Sequence, residues 1–252
     1  MLYRKIRSYI DAHLRSNEDK ILLIEGARQI GKSYIIRDVG TELYDNYVEI
    51  NFVEDDAGDK IFRNVRTTEE FYLNLSMVAG FKLDKYENTL VFIDEIQHYP
   101  QFLTMLKFLR QEHRYRFICS GSLLGIALKK TVSVPVGSII PKKMYQLDFE
   151  EFLIANDFGE DAIVHLRKSF EQKQPLAPEV HDKVLSLFKR YLLVGGMPDA
   201  VNEYLNSHNI VKVREAQESI RELYGVDASR YEEDAAKKLY IRRIYDMIPS
   251  QM

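Results

Sequence analysis

One cysteine, Cys119, is all that the 252-residue chain contains, so no internal disulfide can form and no thiolate metal cluster is spelled. A disulfide-stapled secreted domain is excluded, and a reducing cytoplasm is the expected home. Long apolar runs are missing as well. Ile21 to Ile24 and Leu90 to Ile93 stop at four residues, where crossing a bilayer takes roughly 20, so membrane insertion is not expected. The N-terminus interleaves Arg4, Lys5, Arg7, Asp11 and Arg15 and lacks the apolar stretch of a signal peptide. Nor does one charge dominate. The 35 Lys and Arg against 38 Asp and Glu leave −3, which excludes a chain-wide attraction to nucleic acid but not a local patch. An apolar fraction of 46% rules out disorder as the main state and is enough for a domain of about 150 residues with smaller appendages.

What is present is a change of period along the chain. Leu2, Ile6, Ile10 and Leu14 recur every fourth residue and predict a lead-in helix. Short continuous apolar runs follow at Ile21 to Ile24, Tyr47 to Phe52, Thr89 to Ile93, Arg116 to Ser120 and Lys143 to Leu147, the pattern of strands buried on both faces. Between them lie helical stripes, one opened by the capping-box pair Thr67 and Glu70, another through Phe102, Leu106 and Leu109. Alternation of this kind predicts an α/β core with a five-stranded parallel sheet. Past Asp148 and Glu151, a second capping-box pair, only helical patterns remain, broken by a loop from Glu171 to Pro178 and a stop at Gly195, Gly196 and Pro198. The expected division is a core over 1–150, a helical lid-like region over 151–206 and a helical segment over 207–252. The last of these, with Tyr240, Ile244 and Met247 on a face that nothing visible packs, reads as the start of a C-terminal domain cut short at Pro249.

Chemistry concentrates in three places. Gly26, Ala27, Arg28, Gln29, Ile30, Gly31, Lys32 and Ser33, with Tyr34 after them, match GxxxxGK[ST], the Walker A pattern, between a strand and a helix. Such a loop turns backbone amides onto phosphate oxygens. Lys32 would neutralise the β- and γ-phosphates and Ser33 would offer its hydroxyl to magnesium. The second place is the apolar strand ending in Asp94 and Glu95, a Walker B-like pattern, with Asp94 a metal ligand and Glu95 the base for an attacking water. The third is Ser120, Gly121 and Ser122, whose hydroxyls would reach the γ-phosphate or the water if all strand ends share one edge, or in the case of Ser122 cap a following helix. Gln97 and His98, just past the acidic pair, are candidates to polarise water or report on the γ-phosphate, although a loop position of no catalytic consequence is the expectation for His98. Arg28, Arg110, Arg114 and Arg116 are the candidates for a cation at the transition state.

With these residues in view, the chain resembles an AAA-like family of bacterial and archaeal P-loop ATPases. The resemblance rests on Gly26 to Ser33; on Phe92 to Gln97 with Pro100; on Ser120 to Ser122 with Leu124 and Gly125; and on Val134 to Gly137, Leu147, Phe149 to Leu153, and Gly195 to Pro198. It covers roughly residues 15–205. It implies strand order 5-1-4-3-2, ATP rather than GTP, Lys32 and Ser33 on phosphate and Mg2+, the acidic pair Asp94 and Glu95, and Ser120 or Ser122 as polar sensor. Relatives often carry a basic residue where this chain has Ser138, and a nuclease-like C-terminal domain beyond a point like Pro249.

Other readings stay open on sequence. A GTPase would use Asp55 to Gly58 as DxxG, but no NKxD follows. A small-molecule kinase would need a lid, for which Lys129 to Lys143 is available. A nucleotide-gated interaction module would bind ATP with negligible turnover. An arginine supplied by a neighbouring copy would require a homo-oligomer, and a DNA or protein partner remains open. Gly195 to Pro198 reads as a hinge at a helix end.

Overall fold

The computed structural model describes residues 2–80, 83–86, 88–122, 137–229, 232 and 234–248. The chain divides into two compact units, Met1–Gln146 and Leu147–Met252. Of the segments singled out above, Leu124, Gly125, Val134 to Val136, Pro249 and the part of the kinase-lid candidate before residue 137 lie outside the described residues.

The first unit is a five-stranded sheet of Ile21–Glu25 (β1), Asn46–Asn51 (β2), Thr89–Asp94 (β3), Arg116–Gly121 (β4) and Ile139–Lys143 (β5), in the order β2-β3-β4-β1-β5. Every neighbouring pair is parallel. This is the order that the resemblance implies. Because side chains alternate along a strand, Ile21, Leu23, Val91, Ile93, Phe117 and Cys119 point to one face and Leu22, Ile24, Leu90, Phe92 and Ile118 to the other, and all are buried. The first face carries an aromatic cluster in which Phe52 lies 4.5 Å from Phe102 and 4.9 Å from Tyr99, centroid to centroid, with Phe62 and Phe71 completing it. Helices Lys5–Arg15 (α1) and Lys32–Leu43 (α2) bury Ile10, Leu14, Ile35, Ile36 and Val39. The remaining elements of this unit are Phe52–Ala57 (α3), Thr68–Ala79 (α4), a 3-10 turn at Ile96–His98 and Gln101–Glu112 (α5). The capping box of Thr67 and Glu70 forms as expected.

Three boundaries differ from expectation. The fifth strand is Ile139–Lys143, ahead of the anticipated Lys143 to Leu147. Among the described residues β5 pairs with β1 alone, and an edge strand tolerates Pro141, a residue without N–H. Phe52 leaves the second strand to begin α3, because the Asn51 side chain accepts from the amides of Val53 (2.9 Å) and Glu54 (3.2 Å) and caps a helix at that point. Leu2 precedes α1, which begins at Lys5.

The second unit is helical: Phe149–Ala155 (α6), Glu160–Glu171 (α7), Pro178–Val194 (α8), Pro198–Ser207 (α9), Ile210–Ser229 (α10) and Ala235–Met247 (α11). Asp148 and Glu151 form the expected capping box. In α10, Val213 and Ile220 are buried but Leu223 is 48% exposed, and α11 buries none of its residues, Tyr240, Ile244 and Met247 included. The Gly195 to Pro198 stop is structural. Gly195 ends α8 with φ +74° and Pro198 opens α9. Gly196 lies so close to Leu147 that a Cβ would come within 2.1 Å of the Leu147 carbonyl oxygen, while the Leu147 amide donates to the Gly196 carbonyl at 2.7 Å. Gly196→Ala is therefore expected to destabilise the helical unit by about 2 kcal/mol or more, read as a lowered midpoint in thermal unfolding; an unchanged midpoint would refute this close approach.

Candidate functional site

Parallel pairing puts every strand's carboxyl end on one edge. The register sets Glu25 beside Gly121 and Ile93 beside Cys119, so the chain after β1, β3 and β4 emerges side by side. At that edge the Gly26–Gly31 turn leads directly into α2. A Cβ on Gly26 would lie 2.4 Å from the Met144 carbonyl oxygen and 2.5 Å from the Ile30 side chain, so only glycine fits. Its amide donates to the Gly121 carbonyl at 3.3 Å, and left-handed residues at Gln29 (φ +59°) and Gly31 (φ +90°) complete the bend. Ala27 and Gln29 are exposed, Arg28 half-buried, Ile30 buried, and Tyr34 on α2 is 56% exposed.

Lys32 is 5% exposed, and its ammonium donates to the carbonyls of Gly26 (3.1 Å) and Ala27 (2.7 Å). Burial holds its pKa below the ordinary lysine value; Glu95 and Asp94 oppose this and Arg28 adds to it. The next residue joins the two motifs. Ser33 Oγ donates to Asp94 Oδ2 at 2.6 Å across 61 residues of sequence. Asp94, 3% exposed, also accepts from the Ser120 hydroxyl and, at 2.9 Å, from the Glu95 amide.

Glu95 has a left-handed backbone, φ +52°, which turns it off the strand. Its Oε2 accepts from the Gln97 side-chain amide and, at 3.1 Å, from Ser122 Oγ. Gln97 in turn accepts from the Ser122 amide at 3.2 Å, and both residues are buried. The structure thus brings Lys32, Ser33, Asp94, Glu95, Ser120 and Ser122 to one edge. It makes Gln97, a candidate already from its place just past the acids, the bridge between Glu95 and Ser122. His98 turns elsewhere, its Nε2 3.2 Å from Asp56, and that contact holds the Asp56 carboxyl below its ordinary range.

Among the described residues no group of three or more His, Cys, Asp or Glu is arranged to hold a metal. Ser33 and Asp94 supply hard oxygen donors but an incomplete set, as suits a magnesium ion that completes its shell with phosphate oxygens and water.

A family model described as an AAA domain matches residues 18–153, over half the chain. This chain belongs to the AAA domain family. It carries an AAA-class, nucleotide-binding ATPase domain. Residues 185–252 match a domain of unknown function, DUF8612, instead of a nuclease-like domain. No curated protein matches the chain. Similar solved structures include C. elegans PCH-2, 15% identical over 84% of this chain and 69% of that one with TM-score 0.46. Aquifex aeolicus DnaA with bound AMPPCP is 14% identical over 94% and 75%, TM-score 0.43. The S. cerevisiae Hsp104–ADP complex is 15% identical over 99% and 39%, TM-score 0.44. Among the described residues no helix is long and apolar enough to cross a membrane.

Within this AAA domain the candidate arginines separate by position. Arg110 pairs with Asp19 at 2.8 Å and donates to the Gly137 carbonyl. Arg116 donates to the carbonyls of His13, Ser16 and Glu18, and Arg114 lies 4.4 Å over the Tyr72 ring. Arg110 and Arg116 thus fasten the amino-terminal edge of the sheet, opposite the edge that carries Lys32 and Asp94, and Arg114, two residues before β4, belongs to the same end. Arg28 stays at the loop. Asp55, the first residue of the DxxG stretch, accepts from the amides of Ile61 (2.8 Å) and Phe62 (3.1 Å) and from the Tyr99 hydroxyl (2.9 Å), which makes it a turn-holding residue. Arg4, which sequence placed only in a charged N-terminal stretch, reaches the loop from before α1 and donates to the Ile30 carbonyl at 2.7 Å. A lone arginine with no motif around it gives no sequence signal for such a role.

The lowered pKa of Lys32 yields a pH dependence with a definite sign. If Lys32 meets phosphate, its ammonium would favour the bound anion while protonated, so affinity would be complete below the depressed pKa and fall as pH rises through it, before the ordinary value of 10.5 is reached. Calorimetric titration of metal-free ADP across alkaline pH is expected to show this fall in the parent and not in Lys32→Arg, whose charge persists. A parent affinity that holds flat to pH 10.5 would show that Lys32 is not depressed in this way.

Proposed function

We propose that the AAA domain binds ATP with magnesium at the Gly26–Tyr34 loop and hydrolyses it slowly, using the cycle to gate a conformational change. The observation that carries this reading is the 2.6 Å hydrogen bond from Ser33 to Asp94, which joins a phosphate-type loop to an acidic strand end as a magnesium nucleotide site needs. Lys32 and the loop amides hold the β- and γ-phosphates, and Ser33 with Asp94 holds the cation. Magnesium, when bound, neutralises charge on the phosphate oxygens. Glu95 takes the proton of the attacking water on Oε1, its Oε2 being held by Gln97 and Ser122. Ser120 keeps Asp94 aimed by donating to Oδ1. In the same reading the core ends near residue 150, helices over 151–206 act as a lid-like segment, and residues 207–252 form a separate C-terminal segment. A single cysteine, Cys119, buried and without a disulfide partner, is in keeping with a reducing cytoplasm.

A second reading has one specific support. One oxygen of the Glu95 carboxylate is already taken up by the side chains of Gln97 and Ser122, which leaves less of it to meet a water and favours a nucleotide-gated module with little turnover. One set of measurements separates the two. Lys32→Ala is expected to lose MgATP binding. Glu95→Gln is expected to keep it while phosphate release falls by about 10²- to 10⁴-fold. Hydrolysis by Glu95→Gln at the parent rate would remove Glu95 as the base. Binding by the parent without phosphate release would establish the module, and label passed to a metabolite instead of water would establish a kinase.

A further inference from the structure

Arg4 is 6% exposed, and its guanidinium donates from Nη1 to the Ile30 carbonyl at 2.7 Å and from Nη2 to the Tyr145 carbonyl. Burying a guanidinium is costly, and this one spends its fork on the backbone of the candidate phosphate loop and of the chain just after β5. The same two segments already touch at the loop's other end. The Met144 carbonyl oxygen fills the space where Gly26 lacks a Cβ, and the Met144 amide donates to the Glu25 carbonyl at 2.7 Å. The loop is therefore gripped at both ends, at Gly26 by packing and at Ile30 by charge. The Arg4 Nη1 atom also lies 3.9 Å from where a Gly31 Cβ would be.

We infer that Arg4 is a positioning residue for phosphate binding, an inference that rests on the nucleotide reading above. In a planar trans peptide the C=O and N–H point in opposite directions, so fixing the Ile30 oxygen fixes the direction of the Gly31 N–H. A cation on that oxygen also polarises the peptide and makes the N–H a stronger donor to an anion. Without Arg4 the Ile30–Gly31 peptide must be ordered when phosphate binds, and that ordering weakens affinity. A residue that served only stability would not act on affinity measured below the unfolding transition.

The test measures MgADP dissociation constants by calorimetry for the parent, Arg4→Lys and Arg4→Met, each well below its own nucleotide-free unfolding midpoint. Both variants are expected to bind roughly tenfold more weakly than the parent. Arg4→Lys should restore little, because an ammonium cannot fork between two carbonyls. Should Arg4→Met fail to fold, Arg4→Lys carries the measurement. Constants within twofold of the parent, whatever the midpoints do, overturn the role of Arg4. A parent that binds neither MgADP nor MgATP overturns the nucleotide reading and this inference with it, whereas a parent that binds alongside equally tight variants overturns this inference alone.

Discussion

The carboxylate of Asp94 organises the site. It is nearly fully buried, and a buried carboxylate is tolerable only where donors replace the water it has lost. Three donors do so here, from three different segments: the Ser33 hydroxyl at the start of α2, the Ser120 hydroxyl at the end of β4 and the Glu95 amide beyond β3. Loss of any one leaves a buried charge short of a partner, so the loop, the acidic strand and the serine strand are mutually fixed through one side chain. Glu95 inherits its position from this arrangement, because its amide is one of the donors.

Such a constellation needs a base that does not move, and the sheet supplies it. β4 lies between β1 and β3 and so carries Ser120 between the loop and the acidic pair. Apolar side chains cover both faces, with the interlocked rings of Phe52, Phe62, Phe71, Tyr99 and Phe102 behind one of them. Packing of that density resists displacement of a strand relative to its neighbours.

Much of this was legible in the residues. Continuous apolar runs marked both-face burial in β1, β3 and β4, whereas β2, expected to share it, buries only the alternate residues Val48 and Ile50; the two capping boxes marked helix starts because their chemistry is local. The GxxxxGK[ST] pattern was legible because the backbone geometry it requires leaves few residue choices. What stayed hidden depends on tertiary contact. Ile139–Lys143 carries Pro141, whose place in a strand depends on an edge position that no local pattern reveals. Arg4 acts through a partner 26 residues away and is embedded in no motif, and Gln97, although it closes the phrase from Phe92, reaches Ser122 25 residues away by a contact that no local pattern reveals. The arginines near β4 were ambiguous on sequence since charge alone does not say which end of a sheet it occupies.

The edge strand has a consequence for how copies of this chain can meet. Among the described residues β5 borders the sheet, where Pro141 interrupts the row of amides and Lys142 and Lys143 add charge, Lys142 lying 4.1 Å over the Tyr9 ring. A foreign strand could not zip onto such a border without desolvating cations, so these residues work against sheet extension on this flank.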